Sequence, residues 1–248
     1  MNKAQLMQLE VNLKCLKLDA VCKNYKAVIQ EIIAQQLSYE DLLGRLVALE
    51  IEARHNRRIT SLLKAANFPF IKTLDKFEFN RLPNLKKEIV FELITGNFLT
   101  DTTNLILHGP PGTGKTHLTL AIARELCLKG HRVLFTTACA LVQELAKARN
   151  ELALTRFFKR HHKFELICID ELGYIPFDKS QAELLFQFIS DRYEKGSLII
   201  SSNLVFSEWE EIFGSPITTA AVVDRLVHHC MLLDCNAISY RLDNCMNK

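Results

Sequence analysis

The chain has 248 residues, enough for one sizeable α/β domain and a smaller appendage. Apolar residues make up 48%, which excludes a wholly disordered chain, and a net charge of +3 with a pI of about 8.4 gives no global signature of nucleic-acid binding. No run of about 18 apolar residues exists, no apolar signal segment follows Met1, and the eight cysteines form no CxxC pair, so reduced thiols, no membrane partner and a cytoplasmic location are expected.

Residues 1–67 read as a small N-terminal helical domain, an element for oligomerisation, partner or DNA contact. Leu6, Leu9, Leu13, Leu16 and Leu18 form an uneven helical stripe, and a second helix runs through Tyr25–Gln36. Ser38 has the form of an N-cap, with Asp41 at the third helical position and Leu42, Leu43, Leu46 and Val47 behind it. That helix ends in the basic run Arg54-His55-Asn56-Arg57-Arg58, which could touch DNA. Phe68-Pro69-Phe70 then breaks the helix and places a boundary near residue 68, opening a second domain over 68–248. Asp75-Lys76-Phe77-Glu78-Phe79 alternates and reads as extended, and Pro83 precedes a helix over Leu85–Thr95 that Gly96 ends. From residue 104 onward, strand-like runs at Asn104–His108, Arg132–Thr137, Leu166–Asp170, Ser197–Ser202 and Met231–Asp234 alternate with helical patterns. The class is therefore α/β, a parallel sheet covered by helices on both faces.

Gly109-Pro110-Pro111-Gly112-Thr113-Gly114-Lys115-Thr116 matches GxxxxGK[ST] between an apolar strand and an amphipathic helix. Glycines let backbone N–H groups turn toward phosphate oxygens, and the helix N-terminus adds partial positive charge. Lys115 would reach the β- and γ-phosphates of ATP, the Thr116 hydroxyl would hold Mg²⁺, and His117 follows as the last residue of the nucleotide-contacting set. The competing reading is a Gly-rich turn that happens to fit. Leu166–Asp170 is a buried strand ending in acids: Asp170 is placed to organise Mg²⁺, and Glu171 to polarise the attacking water. Acids here could instead cap a following helix. Asn203 ends a third apolar strand, where it would face the γ-phosphate or the lytic water; a turn-forming Asn is the alternative.

Gly109–Thr116, Asp170-Glu171 and Asn203 resemble the Walker A, Walker B and sensor 1 elements of an AAA+ ATPase. Phe68-Pro69, Leu107–Leu118, Ile169–Pro176 (IDELGYIP), Ser201-Ser202-Asn203, Asp224-Arg225-Leu226 and Ser239-Tyr240-Arg241-Leu242 resemble the IstB family, ATP-binding helpers of insertion-sequence transposases and kin of the DnaC helicase loader and the DnaA initiator. The resemblance implies a P-loop AAA+ sheet, ATP with Mg²⁺, and a homo-oligomer on double-stranded DNA with ATP held between subunits. It also implies a transposase partner and Arg225 as an arginine finger reaching a neighbour's site. A DnaC-type helicase loader is the alternative, and a DNA-coating scaffold using ATP only as a switch is a third reading, against which Glu171 and Arg225 argue. Arg241 is a weaker candidate for a second sensor; with seven residues after it, no C-terminal lid domain is expected.

Residues 138–164 are long for a simple crossover and concentrate Lys147, Arg149, Arg156, Lys159, Arg160 and Lys163. Initiator-type AAA+ proteins carry a DNA-lining helical insertion in this place. Lys159, Arg160 and Lys163 are the DNA-binding candidates, through phosphate contacts without base readout, and a solvated helix face is the bland alternative. The adjacent pairs His161-His162 and His228-His229 point apart on a helix and do not suggest a shared metal, and Trp209 reads as packing.

Overall fold

The computed structural model describes residues 2–240 and Asp243; Arg241, the candidate second sensor, lies outside them. The chain divides into two compact units, 1–61 and 62–248.

The first unit is helical. α1 (Lys3–Cys15) opens on a capping box in which the Asn2 and Gln5 side chains accept each other's backbone N–H. α2 (Asp19–Ala34) buries Val21, Tyr25, Val28 and Ile32, one face at alternating four- and three-residue steps. α3 (Tyr39–Ala65) starts as the Ser38–Asp41 pattern requires: the Ser38 hydroxyl accepts the Asp41 N–H at 3.1 Å, and the Asp41 carboxylate accepts the Ser38 N–H at 3.0 Å. Glu50, almost fully buried, accepts from the Ala20 N–H (2.9 Å), Arg54 (3.0 Å) and Arg57 (2.8 Å). Two arginines of the basic run thus satisfy a buried carboxylate, and Arg57 also pairs with Asp19 at 3.1 Å.

The division after Ser61 falls inside α3, ahead of the break at Phe68-Pro69-Phe70. The reason is that Ala66, fully buried, already belongs to the second unit's core, and its carbonyl accepts the Phe135 N–H at 2.8 Å. Residues 75–79 are not the extended segment their alternation suggests. Two 3-10 turns, Leu74–Lys76 and Phe79–Arg81, fold Phe77 against Phe79 edge-to-face at 4.9 Å. Aromatic residues two apart mimic a strand pattern, but a turn packs them onto each other. The helix expected over Leu85–Thr95 is the shorter α4 (Lys87–Leu93), followed by α5 (Asn97–Thr100).

The sheet of the second unit carries β1 (Asn104–His108), β2 (Val133–Thr137), β3 (Leu166–Leu172), β4 (Ser197–Ser202) and β5 (Cys230–Asp234). The order is β2-β3-β4-β1-β5 and every pairing is parallel. The connecting helices are α6 (Lys115–Leu128), α7 (Ala138–Asn150), α8 (Leu154–His161), α9 (Lys179–Arg192), α10 (Glu210–Phe213) and α11 (Pro216–Val227). Strand side chains alternate between two cores. Leu105, Leu107, Cys168 and Ile199 join Leu118, Ile122 and Leu126 of α6; Ile106, Ile167, Ile169 and Ile200 join Leu141, Leu185, Phe188 and Trp209. Each fully buried Leu or Ile contributes about 1.5–3 kcal/mol, so the two-sided burial of β1, β3 and β4 fixes the sheet. Trp209 is fully buried, with its indole N–H donating to the Leu204 carbonyl at 3.3 Å.

At the strand-start edge, Arg192 is buried and donates to the carbonyls of His161 (3.3 Å), Phe164 (2.9 Å), Glu165 (3.3 Å) and Ser197 (3.3 Å). Burial pushes its guanidinium down to about 10. Nearby, His161 stacks on Phe157 with ring centroids 4.0 Å apart, and its Nδ1 lies 2.8 Å from the Phe157 carbonyl. Burial is the largest influence on His161 and holds it below the usual histidine range, against the opposing pull of that carbonyl. A base with a lowered native pKa is protonated first in the unfolded chain. The stability it contributes is present above the unfolded value of about 6.5 and is lost as pH falls from there toward the native value. Urea unfolding from about pH 7.5 to about pH 5.5 should therefore cost wild type more stability than a His161→Phe variant, whose ring does not titrate.

Candidate nucleotide site

The site forms where β1, β3 and β4 end. β1 is buried over its first four residues and flanked by β4 and β5, so the loop that follows it leaves from an inner strand of the sheet. Gly112 (φ +81°) and Gly114 (φ +102°) take left-handed backbone that lets the loop curl before Lys115 opens α6. Lys115 is nearly buried, and its ammonium donates to the carbonyls of Gly109 (2.5 Å) and Pro110 (2.8 Å); the Thr113 hydroxyl also donates to Pro110, at 3.0 Å. The chain after β5 closes on the loop: the Cys235 N–H donates to the His108 carbonyl at 2.7 Å, the Tyr240 N–H to Gly112 at 2.9 Å, and Ser239 lies where a Cβ on Gly112 would project. His117 is turned to the segment preceding the sheet. Its Nε2 is 2.9 Å from the Thr73 carbonyl, and its ring meets Phe77 edge-on at 5.2 Å.

The acidic pair stands on an irregularity. β3 and β4 pair Ile169 with Ile200 and then Leu172 with Ser202, so Asp170 and Glu171 together oppose Ser201. Glu171 takes φ +62° and its side chain is exposed. Asp170 is buried; one carboxylate oxygen accepts the Thr116 hydroxyl at 2.8 Å, and the other accepts the Ser201 hydroxyl. Asn203 follows β4 half-buried, and its Oδ1 is buried without a hydrogen-bond partner among the described residues. The structure thus brings Lys115, Thr116, Asp170, Glu171 and Asn203 to one edge. The Thr116 hydroxyl and the Asp170 carboxylate are hard oxygen donors and suit Mg²⁺. Sequence reasoning missed two contributors, Ser201 and Ser202. The Ser202 hydroxyl donates to the Leu172 carbonyl at 2.8 Å and accepts the Leu204 N–H at 3.1 Å. The signal was a pair of serines closing an otherwise apolar strand.

Arg225 is elsewhere. It stands on α11 just ahead of β5, which begins opposite Asn104, the first residue of β1. Five residues of strand, about 15 Å, separate that edge from the loop. Its guanidinium donates to the Ala221 carbonyl at 2.8 Å and lies 5.2 Å from the centre of the Phe186 ring. Lys159, Arg160 and Lys163 lie on or just after α8. With Lys147 and Arg156 they line a groove of about 710 Å³. Arg160 spans to Glu144 at 3.6 Å and covers Phe157, so the groove's charge is only partly offset by acids. No His, Cys, Asp or Glu cluster suited to a metal occurs among the described residues, and no described helix is long and apolar enough to cross a membrane.

A five-stranded parallel sheet in this order, with a phosphate loop after its inner strand and an acid at the end of β3, defines a P-loop domain of the AAA+ class. The fold is shared with AMPPCP-bound DnaA from Aquifex aeolicus (TM-score 0.54, 19% identity, 66% of this chain and 49% of that chain). It is shared likewise with the DnaC helicase loader (TM-score 0.52, 22% identity, 59% of this chain and 86% of that chain). Within that class the chain belongs to the family described as IstB-like ATP binding protein, which it matches over residues 11–247. It is 37% identical to the insertion sequence IS21 putative ATP-binding protein of Pseudomonas aeruginosa over 95% of this chain and 89% of that protein. It is 35% identical to the IS232 counterpart of Bacillus thuringiensis subsp. berliner, over 99% of this chain and 98% of that protein.

The left-handed backbone at Gly112 gives a direct test of the loop. A Cβ there costs about 1–2 kcal/mol of backbone strain and meets Ser239. Gly112→Ala should weaken ATP binding about tenfold, measured by titration with a fluorescent nucleotide.

Proposed function

We propose that the protein hydrolyses ATP with Mg²⁺, assembles on duplex DNA as a homo-oligomer with ATP sites between subunits, and helps a partner transposase capture target DNA. We place this activity in the cytoplasm. The observation that carries the reading is the separation of Arg225 from the loop. Lys115, Thr116, Asp170, Glu171 and Asn203 share one edge of the sheet, and the always-charged arginine that would complete them sits at the opposite edge. Such an arginine serves the site of a neighbouring subunit.

In this reading Thr116 and Asp170 would hold Mg²⁺, which when bound offsets charge on the phosphate oxygens. Lys115 exchanges its loop carbonyls for phosphate oxygens, and the loop N–H groups and the α6 N-terminus bind the remaining charge. Glu171, exposed at the bulge, accepts a proton from the attacking water, and Asn203 orients that water or the γ-phosphate. Arg225 of one subunit stabilises the transferring phosphoryl group in the next. Lys159, Arg160 and Lys163 contact DNA phosphates. The relatives' description as ATP-binding proteins of insertion sequences supports a transposase partner over the replicative helicase of a loader.

Lys115→Ala should abolish ATP binding. Arg225→Ala should bind ATP normally yet lose about a thousandfold in DNA-stimulated turnover. Mixing the two should restore part of the rate, since the Arg225 of one variant completes the intact loop of the other. Wild-type turnover by Arg225→Ala on duplex DNA would overturn the shared site. For DNA contact, replacing Lys159, Arg160 and Lys163 with Ala should weaken binding equally across duplex sequences. It should also reduce the slope of log K against log salt by about 2–3, measured by fluorescence anisotropy across a salt series.

A further inference from the structure

The bulge in β3 raises a hydrogen-bonding question. With Asp170 and Glu171 both opposite Ser201, the ladder cannot serve every backbone group there, and a buried N–H without an acceptor is costly. The Glu171 N–H is served by a side chain: it donates to the Ser201 hydroxyl at 3.1 Å. The same hydroxyl donates its own proton to the Asp170 carboxylate. Ser201 is buried, as is Asp170, so water does not compete freely for either bond. One hydroxyl has one proton to give and can accept in return, and this one does both toward consecutive residues. With the Thr116 hydroxyl on the other oxygen, the Asp170 carboxylate is held at both ends, and the peptide carrying Glu171 is held at its N–H.

We infer that Ser201 is a positioning residue for ATP hydrolysis: it orients the Asp170 carboxylate and clamps the bulge that aims Glu171 out of the sheet. The inference rests on the reading of Asp170 and Glu171 given above. Ser201 itself is buried in the sheet and acts only through these two residues. The hydroxyl is the operative group. Alanine leaves the Glu171 N–H without its acceptor and the carboxylate free to rotate; threonine keeps the hydroxyl; cysteine keeps the volume with a weak donor and acceptor in its place.

The test uses the full-length protein with Ser201→Ala, Ser201→Cys, Ser201→Thr and, as a control, Asp170→Asn. Three quantities are read: kcat with duplex DNA, the tightening of nucleotide binding by Mg²⁺, and amide hydrogen exchange over residues 169–173 in nucleotide-free protein. Ser201→Ala and Ser201→Cys should lower kcat about tenfold or more and exchange the Glu171 amide faster. Both should blunt the Mg²⁺ effect, with Mg²⁺-free nucleotide affinity within about twofold of wild type. Ser201→Thr should recover most of the lost rate and protection. Wild-type kcat and Glu171 protection in Ser201→Cys, beside an inactive Asp170→Asn, would overturn the role of Ser201 and leave the hydrolysis reading standing. Full activity in Asp170→Asn would instead overturn that reading. If Ser201→Ala fails to fold, Ser201→Cys and Ser201→Thr decide the matter by the same comparison.

Discussion

The hydrogen bond from Thr116 to Asp170 links two strands that do not touch. Thr116 follows β1 and Asp170 lies on β3, and β4 stands between them in the sheet. The bond forms because the loop after β1 leads into α6 over the end of the sheet, and because the regular register of β3 and β4 up to Ile169 and Ile200 sets Asp170 opposite Ser201, level with the end of β1. The Ser201 hydroxyl of β4 then fills the gap from below. Three strand ends become one polar cluster on an otherwise apolar sheet. Any sequence change that shifted the register of β3 against β4 would move the acid out of reach of the loop.

The opposite edge of the sheet is organised differently. There the strands begin, and their first residues are tied by side chains reaching backbone. The Asn104 side chain donates to the Leu226 carbonyl at 3.2 Å and accepts the Leu198 N–H at 3.0 Å, and Arg192 gathers four carbonyls around the starts of β3 and β4. Asn104 joins the end of α11 to the sheet, so the helix turn that carries Arg225 is fixed relative to β1 and β4. In the shared site proposed above, that fixed base would hold Arg225 in place, since misplacement by about 1 Å costs on the order of 100-fold in rate.

Much of this was legible from the sequence, for physical reasons specific to each element. A parallel sheet covered on both faces needs strands apolar on both sides. The runs Leu105-Ile106-Leu107, Ile167-Cys168-Ile169 and Leu198-Ile199-Ile200 are therefore visible without periodicity, and their polar ends mark the site. The Ser38–Asp41 cap is legible because its chemistry is local. What escaped depends on burial, on turns and on partners from other strands. Nothing near Arg54 and Arg57 announces that Glu50 is buried and needs both, and nothing in Phe77-Glu78-Phe79 announces that a turn packs the two rings together. The bulge at Asp170-Glu171 carries no glycine to mark it. Its left-handed residue is a glutamate, whose strain is tolerated because Ser201, 30 residues away, takes the displaced N–H.

Asn203 extends the same reasoning to the residue that β4 presents next. Its Oδ1 is buried with no partner among the described residues, at a cost of about 1–3 kcal/mol for an unmet polar atom. A turn-forming asparagine would satisfy its side chain on its own backbone, as Asp178 does when it caps α9 by accepting the Gln181 N–H at 2.8 Å. Asn203 forgoes that local partner although Ser202, immediately before it, uses its hydroxyl on the Leu172 carbonyl and the Leu204 N–H. The turn reading therefore lacks its hydrogen bond, and the unmet acceptor lies at the end of the strand that braces Asp170. In the proposed function that Oδ1 suits the O–H of the attacking water, a donor, and not a phosphate oxygen, which like it can only accept.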